Sequence, residues 1–179
     1  NFAKSNDSVP DQEQYHQALV AHLGGAIEII KGEYVASSAR AHLYRKGMPA
    51  RECEKVDIWK LVEKQSDVAL ALHAYSDAIR DDVDHAVIIT NDTDIVPALK
   101  LIKAHTQVKI GIISTTRQKE MVVNQDLDDY SDWTREHVSD DELEASQLPT
   151  LIRTVNAAKV IHKPISWYPK PEEFVPIFN

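Results

Sequence analysis

A single cysteine, Cys53, leaves this chain without an internal disulfide, which fits a reducing compartment and a cytoplasmic location. Its surroundings, "RECEKV", carry no partner pattern for a thiol nucleophile, so a plain surface or half-buried cysteine is expected. No stretch approaches the roughly 18 apolar residues of a membrane span, which argues against a helical membrane protein. A signal-peptide pattern is also lacking, and the chain opens on Asn1 rather than on methionine, so a natural start before Asn1 is expected. Basic excess is absent as well. The net charge of −8 argues against a protein that coats nucleic acid wholesale. It leaves room for an enzyme that holds nucleic acid through a local basic patch and bound metal ions. Internal repeats and low-complexity linkers are likewise missing.

What is present is ordinary for a soluble globular chain: 43% apolar and 27% charged residues. At 179 residues a single domain can bury a real core. Residues 12–23, "QEQYHQALVAHL", place Tyr15, Leu19 and Leu23 on one helical stripe, closed by Gly24-Gly25. "AIEII" (26–30) reads as a short strand. Residues 34–51 hold no acid but carry Arg40, Arg45, Lys46 and Arg51, and read as a long loop or insert. "KVDIWKLV" (55–62) reads as a second strand. In 66–80, Val68, Leu72, Tyr75 and Ile79 form the expected buried stripe of a helix. "HAVIIT" (85–90) and "VKIGII" (108–113) read as strands buried on both faces. Between them "IVPALKLIKA" (95–104) is a helix with Pro97 in its first turn.

From Lys55 to Ser114 the order is strand, helix, strand, helix, strand. That alternation predicts an α/β fold with a mainly parallel sheet and helices on both faces. An acidic helical segment follows. The tail "HKPISWYPKPEEFVPIFN" holds four of the eight prolines and predicts an extended strap.

In open parallel sheets, ligands bind beyond the carboxyl ends of the strands. Asp92 and Asp94 directly follow strand 85–90, and Asp67 follows strand 55–62 by a short turn. Three carboxylates on one edge repel unless neutralised, and oxygen-only donors suit Mg²⁺ or Mn²⁺. Helix capping is the competing explanation for Asp67 and Asp94 taken singly, since aspartate satisfies free N–H groups at helix starts.

The segment "VDIWKLVEKQSDVALALHAYSDAIRDDVDHAVIITNDTDIVPALKLI" resembles the NYN (LabA-like) family of PIN-like ribonucleases. Members show an "EK-x-x-D-V" turn, a helix, and a hydrophobic strand ending in "S-N/G-D-S-D-x-x-P". Here Glu63-Lys64-Gln65-Ser66-Asp67-Val68 and Thr90-Asn91-Asp92-Thr93-Asp94, with Pro97, stand in those places. Upstream, "DQEQYHQAL" is similar to the family's "RQ-x-x-Y-x-x-AL" helix. Downstream, "DDYSDWTREHVSDDELEASQLP" and "KPISWYP" resemble the closing segments of one bacterial branch.

The resemblance implies a PIN-like Rossmannoid three-layer sandwich with a mainly parallel central sheet. It also implies one further aspartate on a first strand that should lie before Asn1. The expected organisation is a nuclease domain over 1–148, lacking that strand, and a strap over 149–179 packing on it. The implied activity is endoribonuclease hydrolysis of RNA phosphodiesters, with Asp67, Asp92 and Asp94 as catalytic and metal residues and Mg²⁺ or Mn²⁺ as cofactor. Metal-bound carboxylates supply an activated water and absorb charge on the phosphoryl and leaving oxygens. Asn91 and Thr93 are candidates to orient acids or phosphate, although turn geometry favours the same residue types. His73 stands where many relatives carry aspartate, and Asp77 offers an acid further on. Each has a surface reading beside the functional one.

Cations must hold the substrate backbone. Arg117 and Lys119, after strand 108–113, are first candidates, with Arg40, Arg45 and Lys46 of the insert beside them. Single strands also stack on aromatics, and Tyr44 qualifies by type. Trp133, Trp167 and Tyr168 are expected to pin the C-terminal segment. Two other readings stand. A degenerate PIN-like module would bind RNA or assemble proteins without catalysis. A haloacid-dehalogenase-like phosphatase would use Asp92-Thr93-Asp94-Ile95-Val96 as D-x-D-x-[T/V], with Asp92 as nucleophile. Oligomeric state is left open, a homo-oligomer included.

Overall fold

A computed structural model describes residues 7–115, 123–154 and 159–168. The elements run α1 (Ser8–Leu23), β1 (Glu33–His42), β2 (Lys55–Lys64), α2 (Ser66–Ile79), β3 (His85–Ile89) and α3 (Val96–His105). They continue with β4 (Lys109–Ile113), α4 (Gln125–Asp129), β5 (Trp133–Arg135), α5 (Asp140–Ala145), β6 (Leu151–Arg153) and β7 (Val160–His162). The chain divides into two units. One spans residues 30–140, and the other joins the segments up to residue 29 with those from residue 141 onward. Among the described residues, no helix is long and apolar enough to cross a membrane.

In the unit 30–140, β3, β4 and β5 form a parallel sheet in that order. The expected strands 85–90 and 108–113 and the helix at 95–104 are therefore present. Side chains alternate across a strand, and the register sets Ala86 beside Ile110 and Ile88 beside Ile112. This face joins a core with Ile95, Leu99 and Ile102 of the turn and helix after β3, and with Leu127 of α4. The opposite face is not buried as the sequence suggests: Val87 and Ile89 are about half exposed.

Helix α2 also packs by an unexpected face. Val68 and Leu72 are 63% and 62% exposed, and Ile79 is exposed too. Ala71, Ala74, Tyr75 and Ala78 meet the core instead. Both stripes are apolar, so periodicity alone did not separate them. The alanine side lets α2 lie close against α3, and the Tyr75 hydroxyl meets His105 Nδ1 at 2.8 Å.

The largest departure is upstream. Residues 34–51 are not simply a loop: β1 pairs antiparallel with β2 over ten residues, from Glu33 opposite Lys64 to His42 opposite Lys55. The strand at 55–62 is real, yet it belongs to this two-stranded ribbon and not to the parallel sheet. "AIEII" forms no strand; its alanine ends a short 3-10 turn and the rest is irregular. In the other unit, α1 packs against the β6–β7 hairpin around Ala18, Ile152 and Ile161. Tyr15 stacks at a tilt on Trp167, with ring centres 5.3 Å apart. That contact accounts for Trp167 as an anchor of the C-terminal segment.

Candidate metal centre

The chain leaves β3 through a turn built almost entirely by its own polar side chains. Thr90 N–H still donates to the Ile113 carbonyl at 3.0 Å, so the parallel ladder extends one residue past β3. The Thr90 hydroxyl accepts from the Asp92 N–H at 3.0 Å. Asp92 Oδ1 in turn accepts from the Asp94 N–H at 3.0 Å, capping the 3-10 turn Thr93–Ile95 that leads into α3. Pro97 stands in the first turn of α3, where its missing N–H costs nothing.

Asn91 ties this turn to the neighbouring strand. Its Nδ2 donates to Thr115 Oγ1 at 2.9 Å, and its Oδ1 accepts from the Thr115 N–H at 3.2 Å. Ile95 and Val96 are buried directly after the acids. The acidic turn is thereby clamped on both sides, while the carboxylates of Asp92 and Asp94 face solvent.

Asp67 arrives from another direction. Gln65 adopts a left-handed backbone (φ 78°) between β2 and α2, redirecting the chain. Glu63 Oε1 accepts from the Ser66 N–H at 3.2 Å, and Asp67 occupies the first turn of α2. One carboxylate oxygen from each of Asp67, Asp92 and Asp94 lies within 4.8 Å of the others. Partial desolvation, then the charges of Glu63, Asp92 and Asp94, push the Asp67 carboxyl above its ordinary range. The residue remains exposed, so crowding of like charge is the physically weightier cause.

This donor set fits a divalent cation on chemical grounds. It offers three hard oxygen donors and three negative charges, with open solvent for water and phosphate ligands. Capping explains part of Asp92, but not why a third carboxylate from a separate segment joins the pair.

Asp77 and His73 are not among the clustered side chains. Asp77 accepts from Arg80 at 2.7 Å in a surface ion pair ten residues along α2 from Asp67. His73 is exposed on the same helix, and Thr93 lies within the capped turn. Arg40 pairs with Asp57 at 3.4 Å and Arg45 with Glu54 at 2.9 Å, both on the ribbon or its connecting loop. Lys46 is exposed in that loop. Arg117 and Lys119 lie outside the described residues. Trp133 covers Gly111 and donates to His85 Nε2 at 2.9 Å. Sequence reasoning gave no role to Thr90 and Glu63, which it met only as members of the two motifs, and did not single out Thr115. Thr90 carried a signal, because a hydroxyl two residues before a turn acid makes a local cap. Thr115 becomes visible only through the β3–β4 register.

Comparison with known proteins adds three findings. The chain is 46% identical over 175 residues to 6-hydroxy-3-succinoylpyridine 3-monooxygenase HspA of Pseudomonas putida (strain DSM 28022 / S16). That match covers 96% of this chain, which spans only 55% of the relative's length. A crystal structure of VPA0982 from Vibrio parahaemolyticus RIMD 2210633, a protein of unknown function, overlaps 76% of this chain and 65% of its own, at 23% identity and TM-score 0.47. The NYN domain matches residues 11–133, a span holding all three clustered aspartates and both acidic motifs. The chain belongs to the NYN domain family.

Proposed function

We propose that the chain is a divalent-metal-dependent nuclease that hydrolyses RNA phosphodiester bonds at Asp67, Asp92 and Asp94, within a catalytic domain taken as 1–148 followed by a strap over 149–179. One observation carries this reading: carboxylates from two separate segments come within 4.8 Å of one another on an exposed surface. Membership of the NYN domain family supports a nuclease-like fold and an RNA-related partner.

Asp92 and Asp94 would hold Mg²⁺ or Mn²⁺ from the clamped turn, with Asp67 completing the set. When bound, the ion supplies Lewis acidity toward the phosphoryl oxygens and lowers the pKa of a water. Asp67, which reaches the pair from a separate segment, would complete the ligand set or orient the attacking water. Asn91 keeps the turn in register with β4, which fixes where Asp92 and Asp94 stand on the sheet edge. The direct test is cleavage of labelled RNA and DNA pools with Mg²⁺ or Mn²⁺, comparing the protein with Asp92→Asn. Equal cleavage by both would refute the site.

The 46% identity to a protein named as a monooxygenase favours a second reading. Here the chain would form part of a larger protein that hydroxylates 6-hydroxy-3-succinoylpyridine. Incubation with that compound, O₂ and a two-electron reductant decides it: Asp92-dependent product formation without RNA cleavage would replace the nuclease reading.

A further inference from the structure

The N–H groups of a helix's first turn have no partner within the helix and must find one elsewhere. At α2 the residue at the entrance does not serve them: Gln65 makes no side-chain hydrogen bond to the turn. Asp67 is of the type that often does. Yet only partial desolvation and neighbouring negative charge act on its carboxyl, which accepts no hydrogen bond among the described residues. The bond comes instead from the end of β2, where Glu63 Oε1 accepts the Ser66 N–H at 3.2 Å.

A second contact holds Glu63 from the other side. Gly32, just before β1, approaches so closely that a β-carbon there would stand 2.6 Å from Glu63 Oε1 and 2.8 Å from the Lys64 carbonyl. It would strike the Ser66 hydroxyl as well. Carbon and oxygen do not rest at such separations, so glycine is required here for space. The half-buried Glu63 carboxylate is thus enclosed between the Gly32 main chain and the Ser66 N–H. Of the charges that act on Asp67, that of Glu63 is the largest, ahead of Asp92 and Asp94. Glu63 is nevertheless outside the group of three carboxylates that converge within 4.8 Å.

We propose that Glu63, backed by Gly32, is a positioning residue of the metal centre. By taking the Ser66 N–H it leaves the Asp67 carboxylate free, and it fixes the first turn of α2 so that Asp67 meets Asp92 and Asp94. The inference rests on the metal-dependent reading above and extends it to residues outside the ligand set. A plain helix cap would stabilise α2 without changing how tightly the folded chain holds a cation.

The test is isothermal titration of the whole chain with Mn²⁺, beside Tm measured in EDTA. Glu63→Ala should weaken Mn²⁺ binding about tenfold, the usual effect of removing a group that orients a ligand. Glu63→Gln keeps an oxygen acceptor for the Ser66 N–H and should restore most of the loss. Gly32→Ala retains every carboxylate but crowds Glu63, and should weaken binding in the same direction. In an Asp67→Asn background, Glu63→Ala should cost nothing further, because Glu63 acts through Asp67.

Wild-type affinity in Glu63→Ala with a lowered Tm would reduce Glu63 to a helix cap and overturn the proposal. Equal losses in Glu63→Ala and Glu63→Gln would assign the effect to charge and overturn it too. Wild-type affinity in Gly32→Ala does the same, even where Glu63→Ala does not fold. Failure is separable from failure of the nuclease reading. Glu63-independent Mn²⁺ binding with Asp92-dependent cleavage sinks only the positioning role, whereas Glu63-dependent binding without Asp92-dependent cleavage sinks only the nuclease. A wild type that takes up no Mn²⁺ sinks both.

Discussion

Asn91 and Thr115 exchange two hydrogen bonds across the ends of β3 and β4, side-chain amide to hydroxyl and backbone N–H to amide oxygen. The acidic turn therefore inherits its position from the sheet. Asn91→Ala removes both bonds and should destabilise the chain by about 1 kcal/mol. It should also weaken Mn²⁺ binding about tenfold, the usual effect of freeing a group that orients a ligand. Thermal melts and isothermal titration measure the two effects separately. Unchanged Mn²⁺ affinity would show that the turn holds its acids without Asn91.

Asp67 joins a site already crowded with negative charge, so Asp67→Asn should relieve repulsion. In EDTA its Tm should equal or exceed that of the wild type, while the Tm gain on adding Mn²⁺ should shrink sharply. A lower Tm in EDTA would mean that Asp67 serves chiefly as a helix-start residue.

Protons compete with cations for the same oxygens. Because the Asp67 carboxyl is raised, it takes up a proton at higher pH than an ordinary aspartate. The Mn²⁺ concentration for half-saturation should be flat above that raised pKa and climb as pH falls through it. In Asp67→Asn this climb should begin at lower pH. Titrations between pH 4 and 7 would expose an absent difference.

A structural carboxylate behaves in the opposite sense. Asp132 accepts from Lys103 at 2.6 Å and from the Ile110 N–H at 2.7 Å, and these bonds hold its carboxyl below the ordinary range. Its folded pKa is depressed, so its stabilisation is complete above the unfolded value near 3.9. That stabilisation fades as pH falls through the lower folded value. Asp132→Asn should flatten stability against pH below about 4, as read by urea melts.

Gly111 lies under the Trp133 ring, which a β-carbon at that position would strike. Gly111→Ala should cost about 1–3 kcal/mol through overpacking. It should also displace the indole from His85, changing the near-ultraviolet circular dichroism. A full-strength Trp133 signal in a stable variant would contradict the close approach.

Periodicity and motif spacing made β3, α3, β4 and the acidic turn legible, because each follows local rules. The meeting of Asp67 with Asp92 and Asp94 was also legible, though by a route that the fold alters. β2 does not lie in the parallel sheet, and it is the turn at Gln65 and the helix α2 that bring Asp67 to the strand end. The ribbon was hidden because residues 34–51 mix serine, alanine and arginine without clean alternation, and only pairing with β2 makes them a strand. The packed face of α2 was hidden for another reason. Alanine and valine stripes are both apolar, and which one meets α3 depends on how closely two helices can approach.

The turn at Gln65 has a further consequence. Asp67 hangs on the chain just after the exposed ribbon, whereas Asp92 and Asp94 are anchored to the sheet. A cation held by all three would act as a removable crosslink, closing the chain between Asp67 and Asp92 into a loop much as a disulfide would. Loading the site would then quiet amide exchange at the base of the ribbon and the first turn of α2, while leaving β4 unchanged. The same three acids would set both where a phosphate is attacked and how tightly the ribbon is fastened to the sheet that serves it.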